Sequence, residues 1–161
     1  MLPSPGKLAL TGVVAALILA ATIFEYRSSR APALSPERAS WRLTPGVVNP
    51  DVTPSSLADT ICRRGWTRTI RPPSSYTSEL ELRQMKTYGR RRRAWDYQED
   101  HLISLELGGH PSDPRNLWPE PRPRAEEVDQ IENELNDAVC SGRITLREAQ
   151  RRISTLKHTS G

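Results

Sequence analysis

Apolar residues follow three patterns along this chain. The first is a run of seventeen residues without a charge, Leu8 to Phe24, just after Lys7. Its length lies near the lower limit for a membrane-spanning helix and slightly above that of a signal-peptide core. The second is helical spacing. Leu57 and Ile61 lie one turn apart behind Thr53-Pro54, with Gly65 as a stop, which predicts a short helix near 54–63. Ser78 and Glu81 form a capping box for a helix running to Tyr88 and ending at Gly89, with Leu82 and Met85 as its stripe. Val128, Ile131, Leu135 and Val139 predict a helix over 125–140, stopped by Ser141-Gly142. Thr145 and Glu148 make a second capping box, stapled by Ile144 and Ala149. The helix behind it runs to about Leu156 and buries Ile153 and Leu156.

The third pattern is alternation. Trp66 to Arg71 alternates and reads as a short strand ended by Pro72-Pro73. Leu102 and Leu105 against Ile103 and Leu107 suggest a half-buried strand pair turning at Gly108-Gly109. Residues 25–52 carry Pro32, Pro36, Pro45 and Pro50 without periodicity, giving a linker and then an extended lead-in. The expected fold class is α+β. The expected organisation is an N-terminal segment 1–30, a linker 31–42, one folded domain 43–157 and a tail 158–161 that includes His158.

Composition narrows this. A length of 161 residues suits one domain, and 36% hydrophobic content with 14 prolines suits a small, loop-rich one. The formal net charge of +4 hides an asymmetry. Residues 27–95 hold fourteen Lys/Arg against five Asp/Glu; residues 96–137 hold three Arg against twelve Asp/Glu. Such a division fits a protein that grips phosphates and also binds a cation, or two solvated faces that attract each other. Arg27, Arg30, Arg38 and Arg42 outnumber Lys7, which would keep the domain in the cytoplasm. The short basic start resembles an export signal. We favour export, with residues 8–24 as a membrane anchor if they are not cleaved. Two cysteines, Cys62 and Cys140, exclude a four-thiolate zinc site and lie too far apart for a redox motif. In an exported protein they would pair; in the cytosol they would be two buried thiols. Pairing is the favoured reading.

Chemistry concentrates in one stretch. Asp100 and His101 are adjacent, a Gly-Gly turn follows, and Asn116 lies fifteen residues after the His. The run from Glu99-Asp100-His101 through Gly108-Gly109 to Asp113-Pro114-Arg115-Asn116-Leu117-Trp118-Pro119-Glu120-Pro121 resembles the core of HNH-type endonucleases, the ββα-metal superfamily. It is most similar to small bacterial and phage proteins of that group. The likeness extends to the lead-in from Leu43 to Pro50, to Thr60-Ile61-Cys62, to Arg71-Pro72-Pro73 and to Val139-Cys140-Ser141-Gly142.

The resemblance implies a metal-dependent hydrolysis of nucleic-acid phosphodiesters, with DNA the expected substrate. His101 matches the general base, Asp100 the first ligand of Mg²⁺ or Mn²⁺, and Asn116 the residue that pins the loop and so orients His101. The third motif position falls near Ala125, which cannot ligate. Asp129, one turn later on the same face, is the substitute ligand; Glu126 and Glu120 fit less well. The zinc-binding Cys pairs found around many HNH cores are absent. Arg90, Arg91, Arg92 and Arg93, just upstream, are placed for a phosphate grip without base reading. Trp95 and Trp118 read as core, and His110 as a solvated loop residue. Two rival functions stand beside the nuclease. One is an HNH-like nucleic-acid-binding module with weak or lost catalysis; the other is a structural envelope protein.

Overall fold

The computed structural model describes residues 38–159, and the apolar run 8–24 lies outside them. Among the described residues no helix is long and apolar enough to cross a membrane. The described fold is α+β, with one antiparallel strand pair and four α-helices.

Strands β1 (Tyr97–His101) and β2 (Leu117–Pro121) pair with Asp100 opposite Trp118 and Gln98 opposite Glu120. The turn between them is not at the two glycines. Residues 102–116 form a broad loop carrying two 3₁₀ turns, Leu105–Leu107 and Pro114–Asn116. Residues 102–109 are all buried except half-buried Glu106, so the leucines of this stretch have no outward face to alternate with. Gly109 instead bridges back to Val48 in the lead-in. Only glycine fits at 109, because a Cβ there would lie 1.7 Å from the Ile103 carbonyl oxygen.

Helices α1 (Trp66–Ile70) and α2 (Ser74–Thr87) precede the strands; α3 (Arg122–Cys140) and α4 (Leu146–Thr159) follow. The predicted strand at 66–71 is therefore helical. Trp66 and Ile70 share a parity in a strand but also share a face in a helix, and five residues cannot separate the two. Both join the main core. The predicted helix near 54–63 shrinks to a 3₁₀ turn, Leu57–Asp59. α2 begins four residues before the predicted capping box, directly after extended Pro73, and buries Leu80 and Met85 while Leu82 stays exposed. α3 starts at Arg122 because Pro123 suits a first helical turn and Pro121 holds the chain extended before it. Its buried stripe is Ala125, Val128, Glu132, Leu135 and Val139, and Ile131 is exposed.

Only half of the second capping box forms. The Glu148 backbone N–H donates to Thr145 Oγ1 at 3.2 Å, while the Glu148 carboxylate turns to Arg151 and Arg152. α4 then runs to Thr159, beyond the predicted end. Residues expected in the linker join the fold as well: Ala39 is buried, and its N–H donates to the Lys157 carbonyl at 2.9 Å.

Cys62 and Cys140 form a disulfide, with Cα atoms 5.5 Å apart at a sequence separation of 78. It ties the segment before α1 to the end of α3, beside the buried side chains of Ile61 and Val139. Closing a loop of this length should contribute about 4 kcal/mol through the unfolded state. Chemical denaturation of Cys62→Ser/Cys140→Ser against wild type should show that loss. A change below about 1 kcal/mol would mean the unfolded chain is already constrained there.

Candidate functional site

The alternation of β1 and β2 places Asp100 and Glu120 on one face as diagonal neighbours. The buried stripe of α3 carries Glu132 towards the same point, and the last turn of α4 carries Lys157 into it. The Lys157 Nζ lies 2.6 Å from Asp100 Oδ2, 2.8 Å from Glu132 Oε1 and 3.2 Å from Glu120 Oε2. It also donates to the His101 carbonyl at 2.7 Å. Lys157 and Glu120 side chains are 0% exposed. Arg124, from the first turn of α3, approaches Glu120 at 3.4 Å and donates to the Leu156 carbonyl at 3.0 Å.

Burial opposes each charge here, and the mutual attraction decides which survive. Burial alone would lower Lys157, but Asp100, Glu132 and Glu120 outweigh it and hold the ammonium well above its ordinary value. Burial would raise Asp100, yet Lys157 and a hydrogen bond from Glu120 bring it down to about 2. Burial and the repulsion of Asp100 push Glu120 up to about 8 against the pull of Lys157. As a carboxylate Glu120 would have neither oxygen in a hydrogen bond. A proton on it supplies the donor that Asp100 accepts. Glu132 is also raised, first by burial and then by Asp100, with Lys157 opposing.

His101 follows Asp100 and points to the opposite face of the strand pair. Its ring is buried, the residue 5% exposed, and Nε2 lies 2.9 Å from the Pro111 carbonyl oxygen. A carbonyl only accepts, so Nε2 carries the proton and Nδ1 is left with the free lone pair. Burial lowers the imidazole below its ordinary value, against smaller opposing pulls from the Pro111 carbonyl and Asp100.

Asn116 closes the loop onto itself. Its Oδ1 accepts from the Ile103 N–H at 3.0 Å and from the Val47 N–H at 3.4 Å. Its Nδ2 donates to the Ile103 and His110 carbonyls, each at 3.0 Å. Outside amides hold the rest of the loop. Asn136 Nδ2 donates to the Glu106 carbonyl at 2.6 Å, Gln150 Nε2 to the Leu107 carbonyl at 3.0 Å, and Gln84 Nε2 to the Pro114 carbonyl at 2.9 Å.

Beside the cluster lies a polar cleft of about 230 Å³. Its walls include Arg71, Ser104, Glu106, Asp129, Glu132 and Asn133. Asp129 is thus on the cleft wall, raised by burial and then by the charge of Asp100. The acid that α3 sends to the ammonium is Glu132, three residues further along. Glu106 is pushed up to about 7 by burial and by Glu132 and Asp129.

The arginine run divides. The Arg90 guanidinium lies over the rings of Tyr88, Tyr97 and Trp118 at 5.2, 5.7 and 5.8 Å and donates to the Arg38 carbonyl. Arg91, Arg92 and Arg93 are exposed, and Arg93 stacks on Trp95 at 4.2 Å. Trp95 is 62% exposed and so is not core, whereas Trp118 is fully buried. His110 caps its own loop, accepting from Ser112 and Asp113 N–H groups through Nδ1. His158 is not tail: it is buried, its Nε2 lies 3.0 Å from the Thr44 carbonyl, and its ring stacks on Trp41 at 3.5 Å.

The resemblance calls for Mg²⁺ or Mn²⁺ at Asp100. Oxygen donors of the right hardness converge here, but the point they share is held by an ammonium. Among the described residues no three His, Cys, Asp or Glu side chains are placed to hold a metal ion together. With Lys157 in position the arrangement does not fit a divalent cation, because two like charges would share one set of oxygens.

Two measurements test this anatomy. Asn116→Ala strands the Ile103 N–H and two carbonyls in the interior, and should cost about 3 kcal/mol or more in denaturant unfolding. Glu99, held near pKa 8 by burial and then by Glu81 and Asp100, has neither oxygen in a hydrogen bond. In the unfolded chain it ionises from its ordinary value of 4.5 upward, while the folded protein keeps the proton to about 8. Stability from this group is therefore lost as pH rises between those values. Glu99→Gln should raise Tm at pH 8 by about 3 °C or more and change it little at pH 5. An equal shift at both values would refute the titration.

Comparison with protein-family models, curated proteins and solved structures finds no match to this chain, so what the site does is read from its own groups.

Proposed function

We propose that residues 38–159 form an HNH-like ββα domain that hydrolyses nucleic-acid phosphodiesters, DNA being the expected substrate, with His101 as the general base. One observation carries this reading: β1, β2 and α3 follow in that order, Asp100-His101 closes β1, and Asn116 closes the loop between the strands. The burial that lowers His101 leaves it neutral near pH 7, as a base must be. Its Nδ1 would take the proton of a water whose oxygen bonds to phosphorus as the bond to the leaving oxygen breaks. Asn116 would position the loop that carries Pro111, and Pro111 fixes the tautomer. Arg91, Arg92 and Arg93 supply charge for the backbone, and exposed Trp95 offers a ring face for a base. Mg²⁺ or Mn²⁺ belongs to what the resemblance implies, and no step is drawn through either, because Lys157 holds the point where Asp100 would bind it.

A second reading is favoured by the engagement of Asp100 with Lys157 and by the burial of His101: a nucleic-acid-binding module that has lost efficient hydrolysis. Plasmid nicking by the purified protein separates the two, run with Mg²⁺, with Mn²⁺ and with chelator. The nuclease reading expects nicking that His101→Ala abolishes and whose acid limb lies below pH 6.5, because burial lowers the base. Retention of DNA in a gel shift without nicking would establish the second reading. Neither nicking nor retention would remove both.

A further inference from the structure

Four oxygens surround one point inside this domain: a carboxylate oxygen from each of Asp100, Glu120 and Glu132, and the His101 carbonyl. They come from β1, β2 and α3. The occupant of that point comes from α4 and is the Lys157 ammonium. Glu120 is fully buried and meets Asp100, Lys157 at 3.2 Å and Arg124 at 3.4 Å. An acidic cluster this dry demands a cation, and hard oxygens alone would select a small divalent one. We propose that the centre is a cation site that carries its own cation: Lys157 stands in the place of a divalent ion and excludes one from the wild-type protein.

The geometry supports displacement rather than coexistence. Nζ is at 2.6, 2.7 and 2.8 Å from three of the oxygens, so no room remains inside the shell for a second cation. The ammonium is attached to a helix that is itself anchored. Ile153 and Ala149 pack in the main core, and the Lys157 carbonyl accepts from Ala39. Withdrawing the side chain would leave the Asp100 and Glu132 carboxylates facing each other across the Glu120 carboxyl, with Arg124 beside Glu120. Replacing it with an apolar chain of similar length converts the ammonium's place into an oxygen-lined vacancy suited to Mg²⁺ or Mn²⁺. The inference rests on Asp100-His101 being the functional centre, but its test uses no nucleic acid. Its failure is therefore separate from failure of the phosphodiester reading.

Mn²⁺ is the probe, followed by electron paramagnetic resonance and by titration calorimetry at neutral pH. Wild type should show no saturable uptake up to about 1 mM and no change in Tm between Mn²⁺ and chelator. Lys157→Met should melt earlier in chelator, bind one Mn²⁺ at least about tenfold more tightly than wild type, and recover Tm when Mn²⁺ is added. Adding Asp100→Asn to that variant should abolish the uptake. If Lys157→Met does not fold without metal, Lys157→Met/Glu132→Gln removes one of the two facing charges and is measured in its place. The wild-type arm stands alone in either case: stoichiometric Mn²⁺ binding that Asp100→Asn removes would overturn the proposal. A folded Lys157→Met protein indifferent to Mn²⁺ would overturn it equally.

Discussion

An ammonium with no exposure to water cannot be left unpaired, and that constraint organises this domain. Taking one ion out of water costs several kcal/mol even after relaxation, and only close opposite charges offset it. Lys157 meets the requirement by drawing one group from each of three other elements: Asp100 of β1, Glu120 of β2 and Glu132 of α3. Once α4 is docked, the strand register and the rotation of α3 are no longer independent. A slip of β2 by one residue would turn Glu120 to the other face and leave the ammonium short of a partner. Such an arrangement need not add much net stability compared with an apolar core. What it does is penalise every alternative packing, since breaking a buried pair typically costs about 3–5 kcal/mol.

The loop 102–116 depends on the same docking. An irregular segment is ordinarily kept at the surface, because its peptide groups need water. Here the loop is mostly buried, and side-chain amides replace the water: Asn116 from within, Asn136 from α3, Gln150 from α4 and Gln84 from α2. α3 and α4 thus do two things to one place. Each supplies a charge to the cluster and an amide to the loop. His101 sits between them, its backbone carbonyl bound by Lys157 and its ring held by the loop through Pro111.

Much of this was legible in the chain, and the parts that were not share a cause. The Asp-His pair, the distant Asn and the long helix after the prolines rest on local signals, and the cysteine pairing on the expectation of export. The partners of Asp100 rest on neither. Yet the stripe of α3 runs 125, 128, 132, 135, 139 at spacings of three and four, with Glu132 at its centre. That of α4 runs 146, 149, 153, 157, with His158 buried beside Lys157 at its end. Reading only apolar residues puts Ile131 in place of Glu132 and stops α4 at Leu156. A carboxylate on one core stripe and an ammonium on another are each improbable alone; together they predict each other. Glu120 was available by period two from Trp118. The strand predicted at 66–71 failed for a different reason: Trp66 and Ile70 satisfy both periods, and the right choice depended on the core they enter.

The same burial alters how the charge asymmetry acts on a polyanion. The acidic half of the sequence looks as though it should repel one. Several of its acids, however, are inside. Glu99 and Glu120 are pushed to about 8 and Glu106 to about 7, in each case first by burial. At neutral pH the first two keep their protons, and Asp100 and Glu132 are answered by Lys157 at contact distance. Contact pairs and protonated acids contribute little field at the surface. Exposed Arg91, Arg92 and Arg93 face no comparable cancellation beyond the 3.9 Å approach of Arg93 to Asp96. The potential around these arginines is therefore more positive than the formal net charge of +4 implies. It is also tied to the fold, because the negative charge is hidden by the packing of α3 and α4 onto the strands and would return if that packing opened.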